Sequence, residues 1–236
     1  MKAVVLAGGR GTRLAPYTTV LPKPLMPVGE KPILEILIRQ LRHYGITDIT
    51  LAVGYLAELL MAYFGDGQRL NVRITYSRED QPLGTAGPLS LVKDLTEQVL
   101  VMNGDVLTGL DFSAMLADHR ASGSIGTLAV CRREVRIDLG VVEYDADRHL
   151  RQYIEKPTHY YNASMGIYIF DRRVQSFIPG NERLDLPDLV QKLIAAGETV
   201  NCHTYEGYWL DIGRPDDYQR ANADFDTLAS QLLHSD

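Results

Sequence analysis

The sequence predicts an α/β protein with a mixed, mostly parallel central sheet, and three observations carry that expectation. Short apolar, β-branched runs alternate with segments whose apolar residues recur at helical spacing, the pattern of successive βα units. The first run, Val4-Val5-Leu6, leads directly into Gly8-Gly9-Arg10-Gly11, as a strand does when it turns at the carboxyl edge of a sheet. Beyond residue 125 the strand-like runs follow one another with few helices between them, which calls for mixed rather than purely parallel pairing.

Each element has its own signal. Residues 32–44 (PILEILIRQLRHY) place apolar residues on one helical face, with Pro32 suited to a first turn and Gly45 to a stop. A strand follows over 48–53, a helix over 55–64 and a strand over 72–77. Residues 78–89 (REDQPLGTAGPL) read as a loop that runs past Gly84 into a helix, and a strand over 99–103 ends at Gly104-Asp105. Strands are expected over 125–131, 139–144, 149–155 and 164–170, and helices over 185–196 and 215–228. No repeat, linker or low-complexity segment interrupts residues 1–236, so one continuous domain is expected, with one lobe over 1–110 and a second lobe over 111–225.

Composition bounds the function without naming it. A chain of 236 residues with 45% hydrophobic content can bury a sizeable core. No apolar run approaches the ~18 residues of a membrane span, and no signal-peptide pattern opens the chain, so a cytoplasmic protein without a membrane partner is expected. A formal net charge of −6 and the lack of a basic stripe argue against nucleic acid. Cys131 and Cys202 stand alone and read as two buried thiols, and the six histidines lack metal-ligand spacing. The adjacent Tyr160 and Tyr161 read as packing residues and are given no role.

The glycine-rich stretch reads as a phosphate cradle, because glycines let successive backbone N–H groups converge on an anion. It is not a P-loop, since GxxxxGK[ST] is absent, and Pro16 opposes the immediate helix of a dinucleotide fingerprint. Arg13 adds a forked donor for phosphate oxygens, and Lys23, in the stiff LPKPLMP segment, adds a point charge. The expected ligand is a nucleoside triphosphate, wrapped by Leu6, Ala7, Gly8, Gly9, Gly11 and Thr12 and clamped by Arg13 and Lys23. Asp105, at the carboxyl end of an apolar strand, is placed to hold a hard cation, although an Asn-Gly-Asp turn read alone is also an ordinary loop.

The run GGRGTRLAPYTTVLPKPL resembles the signature GGxGTRLxPxTxxxPKPL of the sugar-1-phosphate nucleotidylyltransferases, and the resemblance continues through NGDV, EKP and WLDIGRPDDY to about residue 225. It implies a Rossmann-like three-layer nucleotidyltransferase fold and a Mg²⁺-dependent reaction of a nucleoside triphosphate with a sugar 1-phosphate, releasing pyrophosphate. By the same resemblance Asp105 and Asp211 share the Mg²⁺, with Arg13, Lys23 and Asp105 as the catalytic set. Lys156 would hold the incoming sugar phosphate and Glu155 the sugar hydroxyls; read alone, Glu155-Lys156-Pro157 is a solvated strand end.

Base selection is expected in the 78–89 loop, through Glu79, Pro82, Gly84 and Thr85, where small residues let a flat base approach the backbone. That loop resembles the EEPLGTAGPL run of GDP-mannose pyrophosphorylases, which favours GTP and a manno-type sugar. On the acceptor side, with Asn103, Gly140, Ser164 and Gly166, the run SMGIY (164–168) is more similar to ADP-glucose pyrophosphorylases than to the NAGMY of the mannose branch. Gly140, in LGVV, would let a sugar lie against the backbone. Uridylyl or thymidylyl transfer to a glucose-type or amino-sugar 1-phosphate is the alternative. A non-catalytic nucleotide-sugar-binding subunit is another, although such a sensor could discard Arg13, Lys23, Asp105, Lys156 and Asp211, all present here. The chain, ending at 236, is expected to lack the C-terminal β-helix of larger relatives and to form a possible homo-oligomer.

Overall fold

Lys2–Leu6 form β1, the strand around which the sheet is organised in this computed structural model, which describes residues 1–233. Three 3-10 turns follow (Thr12–Leu14, Tyr17–Thr19, Lys23–Leu25), then the short ribbon of β2 (Pro27–Val28) and β3 (Lys31–Pro32) and helix α1 (Ile33–His43). The first half continues with β4 (Asp48–Val53), α2 (Ala57–Phe64), β5 (Arg73–Arg78), a 3-10 turn at Gly87–Leu91, β6 (Gln98–Asn103) and β7 (Val106–Thr108). The second half holds α3 (Phe112–Ser122), β8 (Gly126–Arg136), β9 (Val141–Tyr144), β10 (Leu150–Ile154) and β11 (Thr158–Asp171). A 3-10 turn at Arg172–Phe177, α4 (Leu186–Ala195), β12 (Val200–Tyr205), β13 (Trp209–Asp211) and α5 (Pro215–Leu233) complete it.

Seven strands form one sheet in the order β12-β8-β11-β6-β1-β4-β5. β1 is parallel to β4 and β6, and only β11 runs against its neighbours, so the sheet is mixed and mostly parallel as expected. The chain leaves β1 toward β4 and β5, then returns to the other side of β1 as β6. That reversal makes the carboxyl ends of β1 and β6 a topological switch point, where open α/β sheets bind ligands.

Strand alternation divides the interior. Ala3 and Val5 face the layer of α1, α2 and α3, with Leu37, Leu60 and Met115, while Val4 faces the layer of α4 and its 3-10 turns, with Leu89, Val174 and Leu189. A third cluster, with Ile36, Leu107, Leu210, Ile212 and Phe225, joins α1 to β7, β13 and α5. Among the described residues no helix is long and apolar enough to cross a membrane.

The structure corrects several expectations. Helix α3 and strand β12 were not anticipated. Of α3 only Phe112, Met115 and His119 are buried, so its apolar periodicity is faint, and it is set instead by its ends: Asp111 accepts from the N–H groups of Ser113 and Ala114 at 2.8 and 3.0 Å, and Gly123 takes a left-handed turn. The helix expected after the 78–89 loop is a 3-10 turn, because the N–H groups of Ala86 and Gly87 bond to the carbonyl of Leu184, and Pro88 supplies no donor. Cys202 is exposed on edge strand β12; only Cys131 is buried. The ribbon β9–β10 is solvent-exposed along most of its length.

His119 is buried, with Nδ1 2.9 Å from the Thr127 hydroxyl, and burial pushes its pKa below the ordinary 6.5, against the attraction of Asp171. Below that value the unfolded chain takes up a proton that the folded chain refuses, so this contribution to stability is present above the unfolded pKa and lost as pH falls. The melting temperature is expected to drop from pH 7 to pH 5, and more shallowly in His119→Gln, measured by thermal denaturation across that range.

Candidate active site

Two adjoining clefts open at the switch point. The larger, about 700 Å³, is lined by Leu6, Gly8 and Gly9 from β1 and its loop, by Glu79, Pro82, Gly84 and Thr85 from the loop after β5, and by Asn103 and Asp105. The smaller, about 280 Å³, is lined by Leu6, Ala7, Gly9, Gly11, Thr12, Arg13, Lys23 and Asp105. Leu6, Gly9 and Asp105 border both, so the glycine loop and the strand-end aspartate stand where the two meet.

The loop is shaped by close backbone approach. A Cβ on Gly8 would lie 3.1 Å from the Glu79 carboxylate and 3.2 Å from the Gly54 nitrogen, tighter than ordinary contact. Gly9 has no neighbour within 4 Å of such a position: its face is open space. The Tyr55 N–H donates to the Gly8 carbonyl at 3.1 Å and its hydroxyl to the Thr19 carbonyl at 3.0 Å, tying the loop to the turns behind it.

Lys23, buried on its 3-10 turn, forms an ion pair with Asp105 and lies 4.0 Å from Asp211. The two aspartates meet through pairing, since β13 runs antiparallel to β7 with Asp211 opposite Val106, and the Ile212 N–H donates to the Asp105 carbonyl at 3.1 Å. Burial, then the neighbouring Asp105, raise the Asp211 pKa, opposed by Lys23 and Arg13. Asp105 Oδ1 is buried and has no hydrogen-bond partner among the described residues. A buried carboxylate oxygen without a donor, with a second carboxylate sharing the same lysine, is oxygen chemistry that suits a hard divalent cation. Arg13 is exposed, and a Cβ on Gly213 would come within 3.3 Å of its guanidinium.

On the acceptor side, a bulge in β11 between Ser164 and Tyr168 brings Gly166, at φ 71°, against Asn103: a Cβ there would lie 2.6 Å from the Asn103 amide. The Ser164 hydroxyl is 3.2 Å from that of Tyr168. Gly140, Glu155 and Lys156 line neither cleft. Gly140 packs its backbone against the Tyr153 ring, Glu155 accepts from the Tyr153 hydroxyl at 3.2 Å, and Lys156 is exposed at the β10–β11 turn with φ 46°.

The family model described as nucleotidyl transferase matches residues 2–227. The chain belongs to the nucleotidyl transferase family. It is 36% identical over 231 residues to the mannose-1-phosphate guanyltransferase of Schizosaccharomyces pombe, covering 92% of this chain and 62% of that protein. It is 35% identical over 241 residues to a UTP–glucose-1-phosphate uridylyltransferase of Synechocystis, covering 94% and 62%. The chain thus spans about three-fifths of the length of these curated relatives. A solved structure of a putative glucose-1-phosphate thymidylyltransferase from Bacillus anthracis superposes with a TM-score of 0.75 at 28% identity, covering 94% of both chains.

Within this nucleotidyl transferase framework, three residues of the larger cleft and one that supports its wall escaped sequence reasoning. Arg10 and Tyr55 line the larger cleft, the guanidinium 5.8 Å from the ring centroid, and Gly54 lines it at the end of β4. A glycine following an apolar strand was the available signal for Gly54. Asp185 had none, because it lies far along the chain: its carboxylate accepts from the Thr85 N–H at 3.0 Å, and the Thr85 hydroxyl accepts from the Leu186 N–H at 2.7 Å, fixing the 78–89 loop to the start of α4. Gly84 sits at φ 77°, where a Cβ would meet Asp185 Oδ1 and the Leu184 carbonyl at 2.6 Å. Gly84→Ala is expected to cost ~1–3 kcal/mol, whereas Gly9→Ala should stay within ~0.5 kcal/mol; urea unfolding of both variants checks the contrast.

Proposed function

We propose that the protein is a sugar-1-phosphate nucleotidylyltransferase, which moves a nucleoside monophosphate from a nucleoside triphosphate to a sugar 1-phosphate and releases pyrophosphate. The observation that carries the reading is the convergence of Lys23 and Asp105, which line a glycine-rich cleft, with Asp211 4.0 Å from the same lysine. A non-catalytic binding subunit has no use for this arrangement, since Lys23 balances only one of the two adjacent carboxylates and the second is costly unless a further cation is to be held there.

The triphosphate lies along the Gly8–Thr12 backbone, with Arg13 and Lys23 on its oxygens. Asp105 and Asp211 would hold Mg²⁺, which supplies charge neutralisation between the two anionic substrates. Lys23 pairs with Asp105 and would have phosphate oxygens as further partners on a bound nucleotide. An oxygen of the sugar phosphate attacks the α-phosphorus in line; the bond from that phosphorus to the bridging oxygen of the β-phosphate breaks, and pyrophosphate leaves. No residue needs to become covalently attached, so catalysis is positioning and charge stabilisation.

The base lies in the larger cleft against Gly84 and Thr85, and GTP with a manno-type sugar is the preferred pair, supported by the 78–89 loop and by the guanyltransferase relative. The uridylyltransferase relative of nearly equal identity supports the alternative of UTP or dTTP with a glucose-type sugar. Glu155 and Lys156 are assigned to the sugar phosphate on their place in the family pattern, and Lys156 has a second support: a lysine in left-handed backbone is a strained conformation of the kind that clusters at functional sites.

Pyrophosphate release is the test, from GTP, UTP, dTTP, CTP and ATP against mannose, glucose, heptose and N-acetylhexosamine 1-phosphates with Mg²⁺. A strong signal for GTP with a manno-type sugar is expected, and silence in every combination would sink the assignment. In the active combination, Lys156→Ala is expected to raise KM for the sugar 1-phosphate by about tenfold and leave that for the nucleotide little changed. Equal KM values for the sugar in variant and wild type would remove Lys156 from the site.

A further inference from the structure

Asp185 stands at the N-cap position of α4, where an aspartate ordinarily accepts an N–H of its own helix, yet its carboxylate makes no such bond. Oδ1 accepts instead from the Thr85 N–H at 3.0 Å, with the Thr85 hydroxyl at 3.4 Å, and Oδ2 pairs with Arg183 at 3.3 Å. The Thr85 hydroxyl in turn accepts from the Leu186 N–H at 2.7 Å. The two residues thus exchange the duties of a cap between segments a hundred positions apart, as the partners of a capping box do within one helix.

The exchange decides what the 78–89 loop can offer a ligand. Four of its N–H groups are spent inside the protein: that of Leu83 goes to Glu79 Oε2 at 2.9 Å, that of Thr85 to Asp185, and those of Ala86 and Gly87 to the Leu184 carbonyl at 2.8 and 3.0 Å. Pro82 and Pro88 have no N–H to give, and the Thr85 hydroxyl is occupied on both sides. Among the described residues the carbonyls of Pro82, Gly84 and Thr85 have no donor, and all three residues line the larger cleft. This wall therefore offers acceptors and few donors.

Acceptors on a wall select donors on what lies against it. Guanine is the one common base whose edge carries two adjacent donor groups, N1–H and the 2-amino group, whereas uracil and thymine set a single N–H between two carbonyl oxygens that need donors from the site. We propose that Asp185 is a positioning residue for base choice: by taking the Thr85 N–H it leaves the loop to read a base through backbone carbonyls, which favours a base with adjacent N–H donors. This rests on the nucleotidylyltransferase reading, and gives its nucleotide preference a physical ground.

The test compares pyrophosphate release from GTP, from inosine triphosphate, which lacks only the 2-amino group, and from UTP, with the sugar 1-phosphate that wild type turns over fastest. Wild type is expected to favour GTP over inosine triphosphate by about tenfold or more in kcat/KM. Asp185→Ala is expected to bring that ratio near one, through KM for GTP, with KM for the sugar 1-phosphate little changed. Asp185→Asn, which keeps an oxygen acceptor for the Thr85 N–H, should restore most of the ratio. The Asp185 side chain is 36% exposed, so its truncation opens no core cavity, and melting temperatures check that each variant is folded. A purely structural role gives another pattern, in which every nucleotide is turned over more slowly and the ratio is untouched. Equal use of GTP and inosine triphosphate by wild type, preference for UTP, or an unaltered ratio in Asp185→Ala would overturn the role and leave the reaction standing. Silence with every nucleotide and sugar would overturn the reaction itself; calorimetric titration of GTP and inosine triphosphate into wild type and Asp185→Ala then makes the same comparison without turnover.

Discussion

Two carboxylates, Asp105 and Asp211, are held side by side across the short β7–β13 ladder, and the rest of the site is arranged around the cost of that apposition. Like charges so close favour protonation of one of them, and the raised pKa of Asp211 records this, with burial as the larger cause and Asp105 as the next. The apposition persists because Leu107, Leu210 and Ile212 anchor both strands in the cluster shared with α1 and α5, and because Lys23 is held between the two groups on a turn bracketed by prolines. Hydrophobic burial at the back of the ladder thus maintains an electrostatic arrangement at its front, which a nucleotide and a divalent cation would complete.

The sheet supplies the second half of the design. By reversing strand order at β1, the chain leaves a crevice at the carboxyl ends of β1 and β6, and the glycine loop fills its rim without side chains. A Cβ on Gly8 or Gly54 would press on the Glu79 carboxylate and on the backbone of the other glycine, so the loop's path needs glycine there, whereas Gly9 faces open space that a ligand can occupy. The 78–89 loop, by contrast, is rigid because a distant carboxylate, Asp185, takes its backbone N–H. One wall of the cleft is therefore shaped by glycines that the sequence displays and the other by a side chain a hundred residues away.

This division explains what could be read in advance. Strands β1, β4, β5, β6, β8, β9, β10 and β11, helices α1, α2, α4 and α5, the glycine loop and the strand-end Asp105 all carry local signals of apolar period, glycine spacing or position at a strand terminus. Asp211 carries none that links it to Asp105, and only resemblance paired them; the pairing depends on β13 returning to β7. Helix α3 went unread because capping, rather than a strong apolar stripe, defines it, and β12 because an edge strand with exposed Cys202 offers little hydrophobic alternation. Lys156 and Glu155, prominent in the sequence pattern, stand on the exposed β10–β11 turn, outside both clefts.

The central claim is that Asp105 and Asp211 act as one unit. Its most direct test is the turnover number for pyrophosphate release in Asp105→Asn, Asp211→Asn and the double variant, with melting temperatures as a check on folding. Groups that hold one cation together lose function together, so each single variant should fall by about a hundredfold or more and the double variant little further. Losses that multiply in the double variant would show that the two aspartates act independently, and near wild-type turnover in either single variant would remove that residue from the centre.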